Sequence, residues 1–151
     1  GGILGDTHEG YAYTDKTLDQ LMGAELIPFQ DCIENKMADM IMVAHISVPS
    51  ILGDNTPCSL SEYMITDVLR KQMGYDGLVI TDSFSMGAIV NAYDSGTVVI
   101  QALQAGVDIL LMPQDFHQAY DAIVHAVESG AVSEERINAS VRRILRVKLK
   151  W

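Results

Sequence analysis

Asp82 follows a run of apolar residues, Leu78-Val-Ile80 and then Thr81, that reads as a buried strand. Three or four bulky apolar residues in a row suit a central parallel strand covered on both faces by helices. A carboxylate at the carboxyl end of such a strand sits where α/β folds place their chemistry. Aspartate is also a favoured helix N-cap, so spacing alone leaves cap and catalyst equally open. Asp6 and His8 form a second candidate group. A carboxylate beside an imidazole can orient the ring, stabilise its charged form and so help it shuttle a proton near neutral pH. Without context, a pair this close to a chain end reads more simply as part of a disordered terminus. His45 ends the apolar run Met40-Ile-Met-Val-Ala44 and either lines a pocket or is a hydrogen-bonded structural histidine. Met86 either packs against a ligand or belongs to the core. His117 and His125, eight residues apart on a helical stretch, read as solvent-facing.

The elements that position these residues alternate along the chain. Residues 14–36 show helical spacing through Leu18, Leu21, Met22, Phe29, Cys32 and Ile33, with Pro28 splitting the stretch and starting its second piece. Met40–Ala44 is the first expected strand, and 45–57, rich in Gly, Asp, Asn and Pro, is expected to be an irregular loop. Ser59 and Glu62 form a capping box for a helix that carries Met64, Ile65, Val68 and Leu69 and ends at Gly74. After the Leu78 strand, a helix near 95–105 ends at Gly106, and Val107–Met112 is a third strand stopped by Pro113. Helices at about 115–129 and 134–149 follow, the second capped by Ser133. Strands alternating with helices imply a parallel sheet with right-handed crossovers. Three strands are too few to close a barrel, and an open sheet would leave apolar edges.

Composition narrows the function further. The chain has 151 residues, 48% of them apolar, enough for one domain. A net charge of −10 disfavours nucleic acid, which needs clustered Lys and Arg. The basic residues between Arg136 and Lys150 read as a solvated helix face that complements the helix dipole. No glycine-rich phosphate loop follows a strand. No membrane span and no signal peptide are visible, and the compartment is left open. Cys32 and Cys58 make neither a disulfide framework nor a metal motif, and read as buried or incidental thiols.

Five segments carry a resemblance. They are Met42-Val-Ala-His-Ile-Ser-Val-Pro49, Asp54-Asn-Thr-Pro-Cys-Ser-Leu-Ser61, Gly74-Tyr-Asp-Gly-Leu-Val-Ile-Thr-Asp-Ser-Phe-Ser-Met-Gly-Ala88, Ala105-Gly-Val-Asp-Ile-Leu-Leu-Met-Pro113, and Ser133-Glu-Glu-Arg-Ile137 with Ser140-Val-Arg-Arg-Ile-Leu145. In this order and spacing they resemble the barrel domain of glycoside hydrolase family 3, of the β-N-acetylhexosaminidase type. The resemblance implies an α/β fold, the C-terminal half of a TIM-type (β/α)₈ barrel, with about three parallel βα units plus flanking helices. Residues 1–151 would be one partial barrel domain, and Gly1–Gly5, outside the family's pattern, a remnant or a junction. The family's Lys-His-Phe-Pro-Gly-His-Gly segment is absent.

The resemblance also implies roles. Asp82 matches the nucleophile of a retaining glycosidase, which is glycosylated and then released by water. Asp6-Thr7-His8, running into Gly10-Tyr-Ala-Tyr13, fits the family's Asp-x-His acid/base dyad, carried on a mobile loop. A competing alignment puts Gly5-Asp6-Thr7 on a Gly-Asp-Thr that precedes the dyad, which would leave the dyad out. His45 and Met86 are the candidate substrate-binding residues; no metal and no cofactor are implied. The substrate would be a glycoside of terminal β-linked N-acetylglucosamine. Residues from the missing strands would bind most of the sugar, so the chain alone is expected to show little activity. It is expected to form a homodimer or to pair with a complementary half-barrel. The alternative is a non-catalytic truncated half-barrel that self-associates.

Overall fold

The computed structural model describes residues 2–150, and its core forms where β-branched strands meet apolar helix faces. β2 (Met40–Val43) and β4 (Leu78–Thr81) pair in parallel, Met40 opposite Leu78 and Val43 opposite Thr81. All four residues of β4 are buried, as expected of a strand covered on both faces. The segment from Val107 continues the sheet on the other side of β4. Ile109 bridges Ile80 in parallel, Thr81 donates its amide to the Ile109 carbonyl, and Phe84 donates to Leu111. β4 is therefore the middle strand. The third strand is irregular rather than the continuous 107–112 strand expected, because Leu111 donates its amide to the Thr81 hydroxyl instead of to a ladder carbonyl.

A second small sheet was not foreseen. β1 (Ala12–Tyr13) pairs in parallel with β3 (Ile46–Ser47), inside the stretch expected to be loop. α3 (Pro49–Leu52) also falls in that stretch. The turn residues there are real, but they punctuate short elements rather than abolish them.

α1 (Leu18–Met22) and α2 (Ile27–Glu34) divide where Pro28 sits in the first turn of α2. α1 is opened by a capping box between Thr17 and Gln20. The expected box at Ser59 is not formed. Ser59 lies fully buried in a short 3₁₀ turn, Cys58–Leu60, and Ser61 accepts the Met64 amide instead. Tyr63–Gln72 is a wide helix of π type, with Ile65, Val68 and Leu69 facing the core. α4 (Gly87–Val90) follows the site loop, and α5 (Ser95–Ala105) is capped by the Asp94 carboxylate on the amides of Gly96 and Thr97. Gly106 ends α5 at a φ of 115°, which a side chain rarely adopts. α6 (Phe116–Glu128) and α7 (Glu134–Lys148) complete the fold, with Ser133 accepting the Arg136 amide.

The core joins Ile65, Val79, Phe84, Ile89, Val98, Val99 and Val107 between the sheet and the helices. On the opposite sheet face, β2 leaves Met40 49% and Met42 52% exposed. Beside them an apolar cleft of about 370 Å³ runs between β2, α1 and α2, walled by Leu21, Leu26, Phe29, Ile41 and Val43.

The basic face of α7 differs from its expected solvated role. Arg136 and Arg143 turn inward to Asp108, at the start of the third strand, while Arg142, Arg146 and Lys150 pair with surface carboxylates. Asp108 also accepts from Arg70 at 2.8 Å, from Ser140 at 2.6 Å and from the Val79 amide at 3.0 Å. Burial lowers the pKa of the Arg70 and Arg136 guanidiniums, with Asp108 pulling the other way.

Candidate active site

The carboxyl ends of β2 and β4 carry the candidate residues. Asp82 leaves β4 directly, and its amide donates to the Val43 carbonyl at 3.0 Å, keeping it in register with β2. Among the described residues its carboxylate accepts only the Ser83 amide, at 2.8 Å. The following helix, α4, starts five residues on at Gly87, so Asp82 caps no helix and that alternative is set aside. Residues 82–86 instead form a tight turn, in which Met86 donates its amide to the Ser83 carbonyl.

His45 lies beneath this turn, 1% exposed. Its Nε2 is 3.0 Å from the Ser83 carbonyl, which can only accept, so Nε2 carries the proton. Nδ1 then accepts from the Ser59 hydroxyl at 2.7 Å. The ring stacks on Phe84, with centroids 5.6 Å apart. Burial pushes the imidazole pKa below its usual value, against the upward pull of the Ser83 carbonyl and the Asp82 charge. Both nitrogens are taken by the protein, so His45 is placed to hold the turn and to wall the neighbouring cleft. Met86 is buried and stands immediately before α4, within the core rather than on an open surface.

Asp6 and His8 are brought together. His8 Nδ1 and the His8 amide both lie 2.9 Å from Asp6 Oδ1. The amide, and then the ring, hold the Asp6 carboxyl below its usual range. With Nδ1 occupied, Nε2 is the nitrogen free for proton transfer. The pair is open to solvent, His8 78% and Asp6 58% exposed. The segment is nevertheless folded. Leu4 and Tyr13 exchange backbone hydrogen bonds at its base, Gly10 donates to the Asp6 carbonyl, and Tyr11 donates its hydroxyl to Asn55 at 2.8 Å. Its tip touches α4, where Gly87 and Ala88 donate their amides to the carbonyls of His8 and Thr7.

A cleft of about 460 Å³ lies between this loop and α4, lined by Gly10, Tyr11, His45, Asn55, Asn91 and Tyr93. Asp82 does not line it; that residue starts the turn that His45 supports through the Ser83 carbonyl. Ser59, Asn55 and Gly87 were missed as site residues. The available signals were a serine within a family motif and a glycine opening a helix after a methionine that cannot cap it. Cys58 is free, and burial pushes its thiol to about 12, which fits an inert group. His117 and His125 are exposed on α6.

In a parallel α/β sheet, a carboxylate at the carboxyl tip of the middle strand stands where such folds place their chemistry. The glycosyl hydrolase family 3 N terminal domain profile matches residues 1–147. The chain belongs to that family. It is 30% identical over 166 aligned positions to beta-hexosaminidase A of Pseudoalteromonas piscicida, covering 96% of this chain and 27% of that protein. Among solved structures, the family 3 beta-N-acetylglucosaminidase of Paenibacillus sp. str. FPU-7 is 37% identical with a TM-score of 0.91, covering 96% of this chain and 28% of that one. The beta-N-acetylglucosaminidase of Thermotoga maritima is 33% identical with a TM-score of 0.82, over 90% of this chain and 30% of that one. The 151 residues thus span roughly a third of the length of the relatives they match. No helix among the described residues is long and apolar enough to cross a membrane.

Proposed function

We propose that these residues form one partial (β/α)₈-type barrel domain that contributes to a retaining glycosidase acting on terminal β-linked N-acetylglucosamine. The observation that carries the reading is Asp82 at the carboxyl tip of the fully buried middle strand, five residues before the start of α4, on which the loop bearing the hydrogen-bonded Asp6–His8 pair docks. Asp82 attacks the anomeric carbon as the bond to the leaving oxygen breaks. His8 Nε2 gives that oxygen its proton, and Asp6 stabilises the imidazole throughout. In the second half His8 takes a proton from water, the water oxygen bonds to the anomeric carbon, and Asp82 leaves with its electron pair. Two inversions give net retention.

The exposed Met40 and Met42, and the apolar cleft beside them, support the partial-barrel reading. A complete barrel would cover that face. Orientation and binding supply a large share of rate enhancement, so the isolated chain is expected to turn over very slowly. The same surface favours a second reading, association with another copy or a complementary half, which light scattering at rising concentration would reveal as a growing mass.

The function is tested by incubating the chain at high concentration with an aryl N-acetyl-β-glucosaminide and following the sugar by proton NMR. Slow release of the β anomer first, lost in Asp82→Asn, is the expected result. Release of the α anomer, or release that survives the substitution, would overturn the reading.

A further inference from the structure

We propose that Gly87 is a positioning residue, a latch that fixes the loop carrying Asp6 and His8 to the segment that follows Asp82. The latch couples the acid/base loop to the nucleophile's own turn, and in that sense it rests on the roles proposed above.

α4 opens without a capping side chain. Met86 occupies the cap position, and among the described residues no side chain, its own included, accepts from the first amides of the helix. The first amides of a helix have no partner within it, so they need acceptors from elsewhere. Gly87 donates to the His8 carbonyl and Ala88 to the Thr7 carbonyl, each at 3.1 Å. One turn on, Asn91 Nδ2 donates to the Glu9 carbonyl at 3.4 Å. Three successive loop carbonyls are thus held by one short helix and the residue that ends it.

That approach depends on the absence of a side chain at position 87. A Cβ there would stand 2.6 Å from the carbonyl carbon and oxygen of Glu9 and 2.7 Å from the His8 oxygen. These are backbone atoms, which cannot swing aside as the end of a side chain can. Gly87 is not among the residues with a positive φ, so its own conformation does not call for glycine. In a helix, glycine costs conformational entropy that alanine does not. The glycine therefore serves the loop and not the helix. At the other end the loop is pinned by the Leu4–Tyr13 pair, which leaves the latch to govern the tip where His8 sits.

The test is Gly87→Ala in the full 151-residue chain, followed by amide hydrogen exchange and NMR. Exchange across residues 5–11 is expected to rise about tenfold or more, while β4 and α5 keep their protection, because local opening differs from global unfolding. At the helix end of the latch, the amides of positions 87 and 88, which donate to the His8 and Thr7 carbonyls, should exchange faster in Gly87→Ala than in the wild type. Asn91→Ala, which removes one bond but not the close approach, should raise loop exchange by only about twofold. Unchanged loop exchange in Gly87→Ala, or a matching rise in β4 and α5, would overturn the proposal. An intact latch with no glycosidase chemistry at Asp82 would sink the functional reading alone.

Discussion

The two ends of the sheet hold their carboxylates in opposite ways. At the amino ends of the strands, the Asp108 side chain is fully buried and meets three arginines, Ser140 and a backbone amide. At the carboxyl ends, Asp82 is half-buried and accepts a single amide from its own neighbour. A buried charge with every lone pair occupied ties strands to helices and is free for nothing else. A carboxylate left short of partners is available to a substrate. In parallel α/β barrels the amino ends serve stability and the carboxyl ends serve chemistry, and the partners of Asp108 and Asp82 differ in the sense that division expects. The Arg70 guanidinium shows the tying role, bonding the carbonyls of Gly77 and Gly106 just ahead of two strands.

The contrast breaks first on stability. Asp108→Ala is expected to cost about 3–5 kcal/mol, because it strands buried guanidiniums. Asp82→Asn should stay within about 0.5 kcal/mol, as expected for a site away from such networks. Urea denaturation of both variants decides; comparable losses would erase the distinction. Next comes the support beneath the site. Ser59→Ala leaves His45 Nδ1 buried without a donor and should cost about 1–3 kcal/mol. A neutral result would remove His45 from its supporting role.

A smaller effect concerns pH. The unfolded imidazole of His45 takes a proton below about 6.5, whereas the folded one, its pKa lowered by burial, does so only at lower pH. Between those values the unfolded chain binds more protons, so stability should fall as pH drops below about 6.5. His45→Gln should flatten that slope in thermal melts between pH 7 and 5, and an unchanged slope would reassign it to other groups. Smallest is the exposed Asp6–His8 pair, where Asp6→Asn should leave the urea midpoint essentially unchanged. A lowered midpoint would make the pair structural rather than chemical.

Much of this was legible before the fold was described. Pro28, Gly74, Gly106 and Ser133 mark boundaries through backbone chemistry that acts locally, and the structure keeps them there. Leu78-Val-Ile80 is legible because a strand buried on both faces has no polar alternation. What escaped depends on contacts distant in sequence. Ser59 looks like a cap because its neighbours have the right spacing, but His45, fourteen residues away, claims its hydroxyl. Arg136 and Arg143 look solvated because nothing local reveals Asp108, about thirty residues earlier. β1 and β3 are two residues each, too short to show periodicity. The Asp6–His8 pair was readable only through the family resemblance, and its docking on Gly87, which crosses about eighty residues, was not readable at all.

Asp82, the sparsely partnered carboxylate at the tip of the middle strand, is the proposed nucleophile. Incubation with an activated fluorinated glycosyl donor, followed by peptide mass spectrometry, tests it directly. A single glycosyl adduct on Asp82, absent in Asp82→Asn, is the predicted result. An adduct on another carboxylate, such as Asp6 or Asp54, with Asp82 unmodified, would contradict it.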